Sequence, residues 1–163
     1  MVQGSDFTHV PGVLPGTQNP YPGVLLVRCK NTSGGTITAG DVMVHDPTAV
    51  ENVPGQLIPM TTTTSADDRA GAGVVAVGES TIPDDGEFWL QVAGLHPSVN
   101  IDGTADLVNG DFVSSHTTAK SAAKAAAGNY QALGRYVDAA YTSNSVAAKK
   151  VVLLNPLGLR RAY

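Results

Sequence analysis

A single cysteine, Cys29, stands in 163 residues, which excludes an internal disulfide and a cysteine-built zinc site. Charge is scarce as well: Asp, Glu, Lys and Arg make up 15% of the chain, where about 25% is usual. The ten basic residues are scattered and the formal net charge is -4, so there is no electrostatic footprint for nucleic acid. No apolar run approaches the length of a membrane span, and the first residues lack the basic and apolar regions of a signal peptide. These absences predict a protein made and kept soluble in a cytoplasm, where the Asn31-Thr32-Ser33 sequon would not be glycosylated. Aromatics are few, with one Trp, three Phe and five Tyr.

What is abundant is small or β-branched. Ala (20), Val (20), Gly (18) and Thr (15) dominate the composition, and Pro adds 10 more turn-formers. This is the balance of a loop-rich β protein with enough Leu, Ile, Val and Phe to bury one core. Prolines 11, 15, 20 and 22 fall within the first 23 residues together with four glycines, a density that blocks helix and central strand alike. Residues 1–23 are therefore expected to form an extended arm, and its Phe7, Val10, Leu14 and Tyr21 give it more apolar bulk than a free linker needs.

From Val24 onward, short apolar runs alternate with turn signals. Nine strands are predicted: Val24 to Lys30, Asp41 to Asp46, Gln56 to Met60, Gly73 to Gly78, Glu87 to Gly94, Pro97 to Ile101, Asp111 to Ser115, Leu133 to Ala139 and Lys150 to Leu154. The expected fold class is all-β, a short-stranded β-barrel or β-sandwich over residues 24–156, followed by a tail at 157–163. One segment, Thr118 to Asn129, has the composition of an Ala-rich helix but no large apolar residue with which to dock; one short helix and a hairpin limb both remain open. In Glu87 to Val92, alternation places Phe88, Leu90 and Val92 on one face and Glu87, Trp89 and Gln91 on the other. The only Trp thus lies on a polar face, covered either by the chain's own arm or by another subunit.

Reactive side chains do not converge in the sequence. Gly71-Ala72-Gly73 matches a permissive dinucleotide fingerprint, yet Val74, Val75 and Val77 continue as a strand where the motif needs a helix. His9, His45, His96 and His116 have no metal-ligand spacing, and the Asp67-Asp68 and Asp84-Asp85 pairs read as solvated turns. Ser115 and His116 point to opposite faces of a strand, and His96, Ser98 and Asp102 form a trio by composition alone. No catalytic residues, metal ligands or cofactor are predicted.

Four signatures in order, Thr36 to Asp46 (TITAGDVMVHD), Gly73 to Gly94 (GVVAVGESTIPDDGEFWLQVAG), Leu107 to Ser115 (LVNGDFVSS) and Tyr130 to Pro156, resemble the small β-rich capsid decoration (cement) proteins of tailed bacteriophages. The likeness covers roughly residues 24 to 156. Gly40-Asp41 and Gly110-Asp111 repeat the same step, a positive-φ glycine followed by an aspartate that can hydrogen-bond the turn backbone. The resemblance implies a non-catalytic structural protein of the virion, made in host cytoplasm, that binds the outer surface of an assembled shell. Its partners would be the major capsid protein and itself, as a homo-oligomer with a trimer favoured over a dimer; nucleic acid and membrane are not expected. Capsid-contact candidates are Phe7, Val10, Leu14 and Tyr21 in the arm, then Leu157, Leu159, Arg160, Arg161 and Tyr163 in the tail; Trp89 and Tyr136 are candidates for contacts between subunits. The competing function is a carbohydrate- or receptor-binding β module built on an exposed aromatic platform.

Overall fold

A computed structural model describes residues 13–14, 17–18, 23–49, 57–62, 72–126 and 132–154. Within them the chain is all-β, with no helix. A two-stranded hairpin lies in the arm, β1 (Val13–Leu14) against β2 (Thr17–Gln18). The remaining strands are β3 (Leu25–Asn31), β4 (Val42–His45), β5 (Ile58–Thr62), β6 (Ala72–Val75), β7 (Glu87–Asp102), β8 (Phe112–Ser115), β9 (Ala122–Lys124), β10 (Gly134–Tyr136) and β11 (Val146–Leu154).

Pairing closes these strands into two rings that share β7. In the first, β3 pairs in parallel with β5, and the ladder continues antiparallel through β4, β6 and the first half of β7 back to β3. In the second, β7 pairs in parallel with β9 and continues antiparallel through β8, β10 and β11 back to β7. The connectivity is the same in both: first strand beside third, third beside second, second beside fourth, fourth beside fifth, fifth beside first. Closure removes sheet edges, which a short-stranded β protein must otherwise protect.

The two predicted strands Glu87 to Gly94 and Pro97 to Ile101 are one strand of 16 residues. The break expected between them is a bulge: Val99 faces Lys149 and His96 faces Val151, so Pro97 and Ser98 together oppose Lys150. A proline has no N–H to give the ladder, and a bulge is where a sheet tolerates that loss. Just before it, Gly94 takes φ +90, and a Cβ there would meet the Gly23 carbonyl oxygen at 2.8 Å. Glycine thus lets β7 turn from one barrel into the other while the end of the arm packs against it.

Of the two alternatives left open for the Ala-rich segment, the helix is not observed in its described part: Ala122–Lys124 forms β9, and residues 127–129 lie outside the described residues. Ala122 and Ala123 are buried between β7 and β8, so their small side chains serve close strand packing. Helix propensity gives way to tertiary context here.

The barrels have separate cores. Val27, Cys29, Met43, Met60, Val75, Phe88, Leu90 and Val92 cluster in the first, so the predicted inward face of Phe88, Leu90 and Val92 is observed. Val99, Ile101, Val113, Leu133, Tyr136, Val151 and Leu153 cluster around the second, and Val42, Val44 and Val74 of the first barrel join that cluster from outside their own ring. Strands β4 and β6 therefore have two apolar faces, which explains their unbroken β-branched runs.

Candidate interaction surface

The Gly-Asp steps are built identically. Gly40 and Gly110 have φ +90 and +98. Asp41 Oδ2 accepts from the Thr38 N–H at 2.9 Å, and Asp111 Oδ2 accepts from the Val108 N–H at 2.9 Å. The Gly40 N–H donates to the Val75 carbonyl as the Gly110 N–H donates to that of Tyr136, and the returning bonds run from Val75 to Asp41 and from Tyr136 to Asp111. A bridge between Ile37 and Ile82 finds its counterpart in Leu107 and Tyr141. The chain is thus an internal repeat in structure, and Val42, Val74 and Val75 correspond to Phe112, Arg135 and Tyr136.

This correspondence exposes a difference. On the first barrel a cross-strand row runs outward-facing from Val42 to Val74, Gln91 and Leu26. Val42 and Val74 are 0% exposed, Gln91 is 2% and Leu26 is 9%. On the second barrel the corresponding row runs Phe112, Arg135, Val152 and Leu95. Here Phe112 is 44% exposed and Leu95 37%, Arg135 is exposed and Val152 half-buried. The Arg135 guanidinium lies 4.8 Å from the Phe112 ring centroid, and Leu154, also exposed, extends the face along β11. An exposed row of apolar side chains with a guanidinium set among them is the composition of an interaction site.

The ends of the described domain meet the border of this face. Gly23 packs against Gly94, and Leu154 pairs with Ala93. Segments 1–22 and 155–163 therefore attach at neighbouring points of β7. Phe7, Val10, Tyr21, Leu157, Leu159, Arg160, Arg161 and Tyr163 lie outside the described residues, and Leu14 is described only through its backbone in β1.

Two predicted subunit contacts are placed by the structure. Tyr136 is 0% exposed, and its hydroxyl donates to the Ala139 carbonyl. Its assignment to a subunit contact is corrected: the ring fills its own barrel, and burial raises the phenol's pKa. Trp89 is half-buried, packed with Val24, Leu26 and Ala76, with the Arg28 guanidinium 5.8 Å from its ring centroid. Its neighbour Gln91, expected on a polar outer face, is buried and donates to the carbonyls of Ala93, Gly94 and Leu95. Sequence alternation found the faces of this strand; it missed the open row on the second barrel because those residues are spread over four strands and only register brings them together.

The reactive groups are engaged in structure. Asp102 Oδ2 accepts from the Thr118 hydroxyl at 2.8 Å and lies 3.6 Å from His116 Nδ1. The buried His96 ring bonds the Val75 carbonyl through Nε2 at 3.1 Å and accepts from the Ser98 N–H through Nδ1 at 3.2 Å. His96 and Asp102 thus have separate partners. Burial pushes the Cys29 thiol up to about 12. Gly73 lies inside β6, where a Cβ would collide with Leu90, so this glycine serves strand packing. Among the described residues no cluster of three His, Cys, Asp or Glu side chains could hold a metal ion. The sequon residue Asn31 is fully buried, donating to the Gly35 and Pro83 carbonyls and accepting from Ser33. Comparison with known proteins finds no family that matches this chain and no curated protein similar to it.

Proposed function

We propose that this chain is a structural protein of a tailed-phage virion that binds the outer surface of the assembled shell as a homo-oligomer and stabilises it without catalysis. Its partners are the major capsid protein and further copies of itself. The observation that carries this reading is the open face of the second barrel, with both terminal segments attached at its border. A closed double barrel supplies the block, and the sequences of the arm and tail add apolar and basic side chains to it. Repeated in an oligomer, individually weak arm contacts add as avidity on a surface that is itself repeated.

A glycan- or receptor-binding module is less well supported, because Trp89 packs on the chain's own Val24, Leu26 and Ala76, with no other aromatic residue in that cluster among the described residues. The test is to mix the purified full chain with undecorated heads and image the particles. Added density on the outer surface supports the reading, and unchanged heads with all the protein left in solution would refute it.

A further inference from the structure

The two barrels share one fold, yet the same face is covered on the first and open on the second. What covers Val42, Val44 and Val74 of the first is a barrel of the same kind, while Leu26 in the same row packs with Val24 and Ala76. The Asn100 N–H donates to the Gly40 carbonyl at 3.0 Å and Asn100 Nδ2 donates to Asp41 Oδ1 at 2.8 Å. The Val42 N–H donates to the Lys120 carbonyl at 3.0 Å, and Val42, Val44 and Val74 enter the apolar cluster of the second barrel. The intramolecular contact is thus already an interface between the outer row of one barrel and the next barrel in sequence.

We infer that the open row of Phe112, Arg135, Val152 and Leu95 binds a second copy of this chain head to tail, receiving its first barrel as the first barrel here receives the second. The position on the incoming copy follows from the repeat. His45 pairs with Met60 as Ser115 pairs with Ala122, and Asn31 pairs with Met60 in the parallel ladder as Ile101 pairs with Ala122, so Asn100 corresponds to Lys30. Asp41, which Asn100 contacts, corresponds to Asp111. The repeated contact therefore brings an ammonium to a half-exposed carboxylate, Lys30 of one copy, which now pairs with its own Asp85 at 2.8 Å, to Asp111 of the next, which now pairs with its own Lys124 at 2.9 Å, with Phe112 and Leu95 beside them. The charges are complementary, and Phe112 and Leu95 lose their exposed area. Two different faces meeting in this way make a heterologous interface, which closes into a ring when the rotation per copy allows. This inference names the self-contact that the avidity of the proposed function uses, and its test involves no shell, so the two can fail separately.

The experiment is light scattering on the full chain after size exclusion. The wild type is expected at a multiple of 16.7 kDa. Phe112→Glu and Lys30→Glu, each with an unchanged far-ultraviolet circular dichroism spectrum, are expected at the monomer mass; Leu95→Glu replaces Phe112→Glu if the latter does not fold. Each variant retains one intact face, so an equal mixture of the two should recover a dimer. A wild type at monomer mass, or oligomers unaffected by these substitutions, would overturn the inference. A mixture that stays monomeric would overturn the head-to-tail arrangement in favour of a face meeting itself.

Discussion

His96 shows how much one side chain can tie stability to pH. Its ring is buried at the join of the barrels, and desolvation holds its pKa down to about 4 against the ordinary imidazole value of 6.5, only partly offset by the bond to the Val75 carbonyl. Below pH 6.5 the unfolded chain takes up a proton that the folded chain refuses until about pH 4. Stability should therefore fall as pH drops through that window, by up to about 3 kcal/mol from this residue alone. Urea denaturation at pH 7 and pH 4.5 measures the loss, and His96→Gln should flatten the slope. Asp46 acts lower, because bonds from Thr48 and Thr32 hold it at about 2; it withdraws stability only as pH falls from 3.8 toward that value. Gly94 is a second sensitive position. Gly94→Ala places a Cβ at positive φ and 2.8 Å from a backbone oxygen, and the strained backbone alone should cost about 1 to 3 kcal/mol. A denaturation midpoint equal to wild type would show that β7 turns by some other means.

At the scale of elements, legibility in the sequence depended on whether one strand carried its own signal. Phe88, Leu90 and Val92 alternate with a period of two, and their inward face follows directly. The Gly-Asp steps were legible because a glycine and a carboxylate in that order have a local structural use. The length of β7 was obscured by Gly94 and Pro97, which read as terminators and prove to be a kink and a bulge inside one strand. The alanines of β9 carry helix propensity; their strand is imposed by neighbours that no local window contains. Since Ala122 is fully buried between β7 and β8, Ala122→Leu should overpack the second barrel and destabilise it by about 1 to 3 kcal/mol. Thermal unfolding followed by circular dichroism checks this, and an unchanged midpoint would mean that room exists beside β9.

At the scale of the whole molecule, the described residues form two copies of one barrel fused through a shared strand, and the proposed interaction surface is argued from that duplication. Register aligns Phe112, Arg135, Val152 and Leu95 across four strands, a row no single segment announces. Low charge and small residues, which in composition marked only a β domain, become close barrel-on-barrel packing around Val42, Val44 and Val74. Deleting residues 1–20 removes none of the strands of either ring, so the truncated chain should fold and self-associate while losing its hold on heads. The most direct measurement is cosedimentation and imaging of undecorated heads with the full chain and with that truncation. The full chain should coat the outer surface at a fixed number of copies per head and the truncation should remain in the supernatant; a full chain that never leaves the supernatant would contradict a role on the shell.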